Sequence, residues 1–247
     1  MISSVGKTIG RGLKLAELLF FPSHCKLCSS PLESPQERVV CKSCIESLQH
    51  RRSSFCLSCG RFFQDSGEPR LCIECLEKQP VFSLHRSCGH YRGMLKDFIL
   101  LYKYRGCQIL GKDLARFMLN SLGRVEEIWW GLDALVPVPL HPKRKRQRGF
   151  NQALLLAREL AREKEIQLLK KSLVKIKNRP PQTLVQSQER GKNIKGAFGV
   201  NNEEKIKDKV VLLVDDVFTT GATITECSVT LIEAGAREVR AVTVAQA

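Results

Sequence analysis

The 247-residue chain carries 40 Lys and Arg against 25 Asp and Glu, a formal charge of +15, and 43% of its residues are hydrophobic. That content suffices for a real core, and the length suits one large domain or a small one plus a medium one. No uncharged apolar run is long enough to cross a bilayer, so membrane insertion is not expected.

At the start, Lys7, Arg11 and Lys14 precede the apolar piece LAELLFFP, which is short, contains Glu17 and lacks a small-residue cleavage site before Cys25. It fails as a signal peptide, and residues 1–22 read as an amphipathic helix. Eleven cysteines without a secretory signal point to metal binding in a reducing, cytoplasmic compartment rather than to disulfides.

Residues 23–80 contain an internal repeat. Cys25-x2-Cys28-x12-Cys41-x2-Cys44 recurs as Cys56-x2-Cys59-x12-Cys72-x2-Cys75, each cysteine 31 positions after its counterpart. A CxxC pair puts two thiolates on one tight knuckle, and a hairpin-length spacer brings a second knuckle to complete a tetrahedron. Two such closed sites read as structural, for Zn2+ or another tetrahedral metal, with no coordination position left for chemistry, and metal binding would supply most of the folding energy of so small a module. Redox CxxC pairs and an iron–sulfur cluster are rivals that explain the doubled spacing less well. Pairing within each repeat is the simplest arrangement, although a crossed pairing satisfies the same spacing. Four thiolates per ion lower the charge from +15 to +11, which still suits polyanionic ligands. His24, His50 and His85 are expected at the surface, and Cys88, Cys107 and Cys227 as buried or partly buried free thiols.

A boundary near Gln79-Pro80 opens a second domain, residues 81–247. A strand is predicted over residues 83–91 and helices over 93–102 and about 109–122, from the spacing of their apolar residues. Between the helices, Lys103-Tyr104-Arg105-Gly106 either closes a helix end or reaches an anion, and the residues alone do not choose. A strand follows at 132–140, whose two prolines argue against full pairing at its far end. The loop from His141 to Asn151 has five cations and opens a helix reaching about Lys164, so Arg148, Gly149, Phe150 and Asn151 sit where a pyrophosphate would bind. A nucleic-acid patch is the competing reading of the same cations.

Strands at 172–178 and 196–200 flank the polar, proline-bearing segment from Arg179 to Lys192, long enough to be mobile or functional. Next comes VVLLVDDVFTTGAT, residues 210–223. Five aliphatic residues read as a strand buried on both faces, followed by Asp215 and Asp216, then Thr219, Thr220, Gly221, Ala222 and Thr223 at the start of a helix to about Glu233. Unpaired N–H groups and the helix dipole would hold a phosphate there. Carboxylates repel that anion, so the acidic pair must serve ribose hydroxyls or a divalent cation. The last strand is predicted at 238–244. Between His141 and Lys195 there are sixteen Lys and Arg against four Glu, a net of +12, which equals the whole excess of residues 81–247.

The doubled CxxC ribbons, LLYKYRG, VPVPLHPKRKRQRGFNQA, RPPQTLVQSQERGKNIKGAF and VVLLVDDVFTTGAT, in that order, closely resemble the ComF (ComFC-like) family. The resemblance implies an α/β fold in which a double zinc-ribbon module precedes a type I phosphoribosyltransferase-like parallel sheet flanked by helices. It further implies 5-phosphoribosyl-1-pyrophosphate (PRPP) with Mg2+ as ligand, an unidentified acceptor, and pyrophosphate release by a phosphoribosyltransferase linked to DNA uptake or nucleotide metabolism. Asp215 and Asp216 would take the ribose hydroxyls, Thr219 to Thr223 the 5′-phosphate, and the loop ending Arg148-Gly149-Phe150-Asn151 the pyrophosphate. Arg179, Gln182, Arg190 and Asn193 would belong to a loop closing over PRPP. Lys103 and Arg105 match the family pattern without an assigned role. The alternative the family offers is a non-catalytic, PRPP-responsive competence factor that binds single-stranded DNA and acts with DNA-uptake proteins.

Overall fold

The structure, a computed structural model, describes residues 23–33, 37, 39–48, 50, 54–65, 67–104, 106–123, 125–176 and 195–247. The chain divides into two units, Met1–Gln49 and His50–Ala247. The expected N-terminal helix over residues 1–22 lies outside the described residues.

Both units contain one cysteine repeat, and the two repeats share their hydrogen bonds as well as their spacing. Lys26 N–H donates to Val39 O, and 31 residues on Leu57 N–H donates to Arg70 O. The N–H groups of Cys41 and Cys72 reach the Sγ of Cys25 and Cys56 at 3.4 and 3.3 Å. Each repeat then enters one short helix, α1 (Lys42–Glu46) or α2 (Ile73–Glu77), with its third cysteine at the N-cap. The knuckle turn needs a left-handed residue, Ser29 (φ 63°) in the first and Gly60 (φ 66°) in the second. Gly60 has a further reason: a Cβ there would stand 2.3 Å from His85 O.

The second unit continues as β1 (Leu84–His90), α3 (Gly93–Tyr104), α4 (Leu110–Leu122), β2 (Ala134–Pro137), α5 (Pro142–Arg148) and α6 (Gln152–Lys164). It ends with β3 (Gln167–Leu168), β4 (Leu173–Lys175), β5 (Phe198–Val200), β6 (Val210–Phe218), α7 (Ala222–Glu233) and β7 (Glu238–Gln246). Five strands form one parallel sheet in the order β1-β7-β6-β2-β3, while β4 and β5 pair antiparallel by themselves. Parallel strands covered on both faces read as unbroken apolar runs, which is why Val210–Val214 is aliphatic throughout. Alternate residues serve different faces. Val211 and Leu213 join Val136, Phe198, Ile224 and Leu231 in a core that also holds Cys56, Cys59, Cys72 and Cys75 of the second repeat. Helices α4 and α6 pack on each other, α4 against β1 and α6 against β2 and β6.

Three expectations change. β6 does not stop at Val214: it stays paired with β7 through Phe218, so the acidic pair belongs to the strand. The predicted strand at 132–140 shortens to four residues, as its prolines require, yet Pro137 keeps register with Val214. The basic segment is not one loop; Pro142–Arg148 is helical, closed by Gly149 in the left-handed conformation (φ 80°) before Asn151 starts α6. Pro at the first helical position and Gly just past the last turn are the ordinary helix boundaries.

Candidate functional site

The eight repeated cysteines form two groups, Cys25, Cys28, Cys41, Cys44 and Cys56, Cys59, Cys72, Cys75, each with its sulfurs within 4.8 Å of one another. The Sγ–Sγ separations of Cys25–Cys44, Cys28–Cys41 and Cys59–Cys72 are 3.9, 3.6 and 3.7 Å. A tetrahedral zinc with bonds of about 2.3 Å requires sulfurs about 3.8 Å apart, so the groups fit that ion and pairing runs within repeats. Burial works against a Cys56 thiolate, but the N–H groups of Cys72, Cys59 and Ser58 outweigh it and hold the thiol down to about 7. His24 and His50 are exposed as expected.

His85 is not at the surface; it is fully buried and belongs to neither cysteine group. Its Nδ1–H donates to Cys59 O at 2.7 Å, its Nε2 accepts from the Thr243 hydroxyl at 3.1 Å, and its ring stacks on Phe218 with centroids 4.1 Å apart. Both ring nitrogens are satisfied in the neutral form, and burial pushes the imidazole down to about 3. Cys88 and Cys227 are buried and Cys107 partly so, as read from the sequence.

At the carboxyl end of β6 the two carboxylates diverge, as neighbours on a strand must. Asp216 is buried (8% exposed) and makes an ion pair with Lys103 Nζ at 2.6 Å. Asp215 is half-buried, and one of its oxygens accepts from Asp216 N–H at 2.8 Å. Burial, then the Asp216 charge, pushes the Asp215 carboxyl up to about 7. Lys103 is held above its ordinary value: burial opposes its charge, and Asp216 overcomes that. Thr219 and Thr220 are exposed. Gly221 caps α7 at φ 77°, and a Cβ there would meet the Phe218 ring at 2.6 Å, so the turn needs glycine for its conformation and for its space. Ala222 and Thr223 begin the helix.

The end of α3 reaches the basic segment as well. Arg148 lies over the Tyr104 ring (4.9 Å) and donates to the Tyr104 hydroxyl at 3.3 Å and to Gln152 Oε1 at 3.2 Å. Phe150 turns into the core against Tyr102, and Asn151 Nδ2 donates to Val138 O at 3.1 Å. Thus Lys103 and Tyr104, adjacent in sequence, tie the acidic pair to the basic segment. Arg105, Arg179, Gln182, Arg190 and Asn193 lie outside the described residues. Lys175 on β4 was not foreseen: it sits within electrostatic reach of Asp215 and Arg144, and burial, then Arg144, lowers its pKa. Nothing in its strand context marks it.

A pair of four-cysteine groups ahead of a five-stranded parallel sheet flanked by helices defines the class, a double zinc ribbon joined to a phosphoribosyltransferase-type domain. Family comparison agrees: the double zinc ribbon domain matches residues 16–89 and the phosphoribosyl transferase domain residues 147–247. The chain is 30% identical over 227 residues to the DNA utilization protein YhgH of Salmonella typhi, covering 90% of this chain and 96% of that one. It is 30% identical over 230 residues to the competence protein ComFC of Streptococcus pneumoniae (87% and 96%), and 28% over 225 residues to the competence protein F of Haemophilus influenzae (90% and 96%). The chain belongs to the ComF family. Among solved structures, a glutamine PRPP amidotransferase from B. subtilis, complexed with ADP and GMP, overlays 58% of this chain and 26% of its own at 23% identity and a TM-score of 0.34, too partial a likeness to carry an argument. Among the described residues no helix is long and apolar enough to cross a membrane.

Proposed function

We propose that the protein binds PRPP with Mg2+ at the carboxyl end of β6 and transfers its phosphoribosyl group to a nitrogen acceptor, releasing pyrophosphate. The observation that carries this reading is the junction at Lys103-Tyr104, where a buried ion pair to Asp216 and a stacked Arg148 bring ribose-type acceptors and a cation together. Asp215 and Asp216 accept from the 2′- and 3′-hydroxyls. Thr219 to Thr223 surround the 5′-phosphate at the α7 N-terminus. Arg148 and the other cations of α5 face the pyrophosphate. In the transfer the C1–oxygen bond to pyrophosphate breaks, the C1–nitrogen bond forms, and the acceptor's proton leaves to solvent or pyrophosphate. Mg2+ bound with the substrate would offset charge on the leaving group. The protein's own contribution is electrostatic and positional.

Calorimetry of Mg-PRPP binding tests the site: Asp216→Asn and Thr220→Ala should weaken it about tenfold or more, a loss typical of one charge-assisted hydrogen bond. Unchanged affinity in both would remove the assignment. Pyrophosphate release across a panel of nitrogen acceptors tests the transfer.

A second reading is favoured by the exposed Lys143, Lys145 and Arg146 on α5 and by the printed names of the relatives, which speak of competence and DNA utilization. Here the protein is a PRPP-responsive factor that binds single-stranded DNA through these cations during DNA uptake. It requires an affinity that falls steeply with salt and is competed by PRPP, with no pyrophosphate release for any acceptor.

A further inference from the structure

An acidic pair at the end of a strand can serve ribose hydroxyls or a divalent cation, and the surroundings of Asp216 decide between them. Its Oδ1 already faces an ammonium, Lys103 Nζ at 2.6 Å, and both side chains are almost wholly buried. Neither partner stands on a loose segment. Lys103 is in the last turn of α3, and Asp216 lies within β6, which stays paired with β7 through Phe218. The Asp216 charge holds the ammonium protonated against the opposing effect of burial.

A directly bound Mg2+ would stand about 2.1 Å from a carboxylate oxygen. At Asp216 that places a double positive charge beside the ammonium, with little water to screen the two. Asp215 offers no second ligand on the same side: neighbours on a strand diverge, and one Asp215 oxygen takes Asp216 N–H at 2.8 Å. No third carboxylate or imidazole joins them, since among the described residues only the two cysteine groups gather three or more metal-ligating side chains. Hydroxyls fit the site. A carboxylate that accepts one Nζ–H keeps lone pairs on both oxygens for O–H donors. The charges fit as well: Lys103 and, from β4, Lys175 both act on Asp215. Two ammonium groups thus face two carboxylates, and the repulsion of the pair for a phosphate at the α7 N-terminus is offset.

We propose that Lys103 is the resident counter-cation of the acidic pair, holding at Asp216 the place a divalent ion would take. A sugar phosphate with a vicinal diol is then bound without metal, and Mg2+ enters only with the pyrophosphate. Lys103 acts through Asp216 and is a positioning residue. The proposal rests on the phosphoribosyl reading above, and the two can fail separately.

The test uses the zinc-loaded full chain in Mg2+-free buffer with two probes. Calorimetry follows ribose 5-phosphate, which has the diol and phosphate but no pyrophosphate; electron paramagnetic resonance follows Mn2+, standing in for Mg2+. Wild type should bind ribose 5-phosphate without Mg2+, and added Mg2+ should change the affinity less than about twofold, because an ion with no place at the site shifts no equilibrium there. Wild type should also take up no more Mn2+ than Asp216→Asn does. Lys103→Met should bind the sugar phosphate about tenfold more weakly without Mg2+, as loss of a charged partner implies. It should regain most of that loss when Mg2+ is added and take up additional Mn2+, a recovery that a merely structural lysine would not allow. Wild-type binding that requires Mg2+ overturns the proposal, and so does wild-type Mn2+ uptake above that of Asp216→Asn; neither result depends on a lysine variant that folds. A Lys103→Met loss that Mg2+ leaves unchanged, or no loss at all, overturns it too. Ribose 5-phosphate that binds wild type neither with nor without Mg2+ sinks the underlying reading, and this proposal with it.

Discussion

Lys103→Met removes one half of an ion pair whose side chains are only 13% and 11% exposed. At 2.6 Å and an effective dielectric of about 20 the attraction is about 6 kcal/mol, most of which offsets the desolvation of the two ions. The intact pair therefore contributes little net stability. Truncating one partner is different, because the desolvation of Asp216 remains uncompensated, at a typical cost of about 3–5 kcal/mol. Protonation sets a ceiling: keeping an ordinary carboxyl neutral costs about 5 kcal/mol at pH 7.5 and about 1.5 kcal/mol at pH 5. Asp215, held up to about 7, already takes a proton readily and relieves part of the repulsion. We expect a loss of about 3 kcal/mol at pH 7.5, shrinking to about 1 kcal/mol at pH 5. Asp216→Asn in the Lys103→Met background should restore at least about 2 kcal/mol of it, since the uncompensated charge is gone. The assay is urea unfolding of the zinc-loaded protein, followed by far-UV circular dichroism at both pH values. A loss under about 1 kcal/mol at pH 7.5, a loss independent of pH, or full additivity in the double mutant would refute the buried-pair argument.

Asp215 makes a separate pH prediction. Its native pKa of about 7 exceeds the unfolded value, so from about pH 4 to pH 7 the native state holds more protons and this group's stabilisation is lost as pH rises. Asp215→Asn should flatten the fall in melting temperature over that window and stabilise the protein near pH 8; an unchanged profile counts against the assignment. Gly221→Ala forces a left-handed alanine whose Cβ meets Phe218, a ring already stacked on His85. It should cost about 2 kcal/mol and abolish ribose 5-phosphate binding, and an unaltered loop would show in unchanged calorimetry. Stripping zinc with a thiol reagent should release two ions per chain. Cys56→Ser should lower the melting temperature of the sheet as well as of the ribbon, because the second-repeat cysteines are part of the sheet's own core. A sheet that melts as before would separate the two.

What could be read in advance followed from local chemistry. The metal groups were legible because a thiolate tetrahedron dictates its spacing, and the core strand because burial on both faces demands an aliphatic run. The extension of β6 through Asp215 and Phe218 was not, since its cause is β7 pairing alongside it, not the residues themselves. Helix α5 hid behind five like charges, which disfavour a helix, although Pro142 and Gly149 marked both of its ends. The role of Lys103 could not be read because its partner lies 113 positions away and no local pattern reports such a pair. His85 was misplaced for a similar reason: a histidine in an edge strand looks exposed until something covers it.

The cover over His85 explains why β1 carries His85, Arg86 and Ser87 at buried positions. Polar side chains there need fixed partners, and the second ribbon supplies backbone carbonyls. Cys59 O takes the His85 Nδ1–H, and Leu57 O takes Arg86 Nη1–H at 2.9 Å, while the His85 backbone N–H donates to Ser58 O. These carbonyls lie within the Cys56–Cys59 knuckle, whose shape a bound metal would fix. The chain of contact then runs from knuckle to His85, from His85 to Phe218, and from Phe218 to the space that only a glycine at 221 leaves open. A module too small to bury a core of its own gains one by sharing the sheet's, and the turn that follows Phe218 gains a rigid floor. On this view a zinc ion held by the second ribbon would help to set the geometry of the turn at Gly221, through two aromatic rings and without touching it.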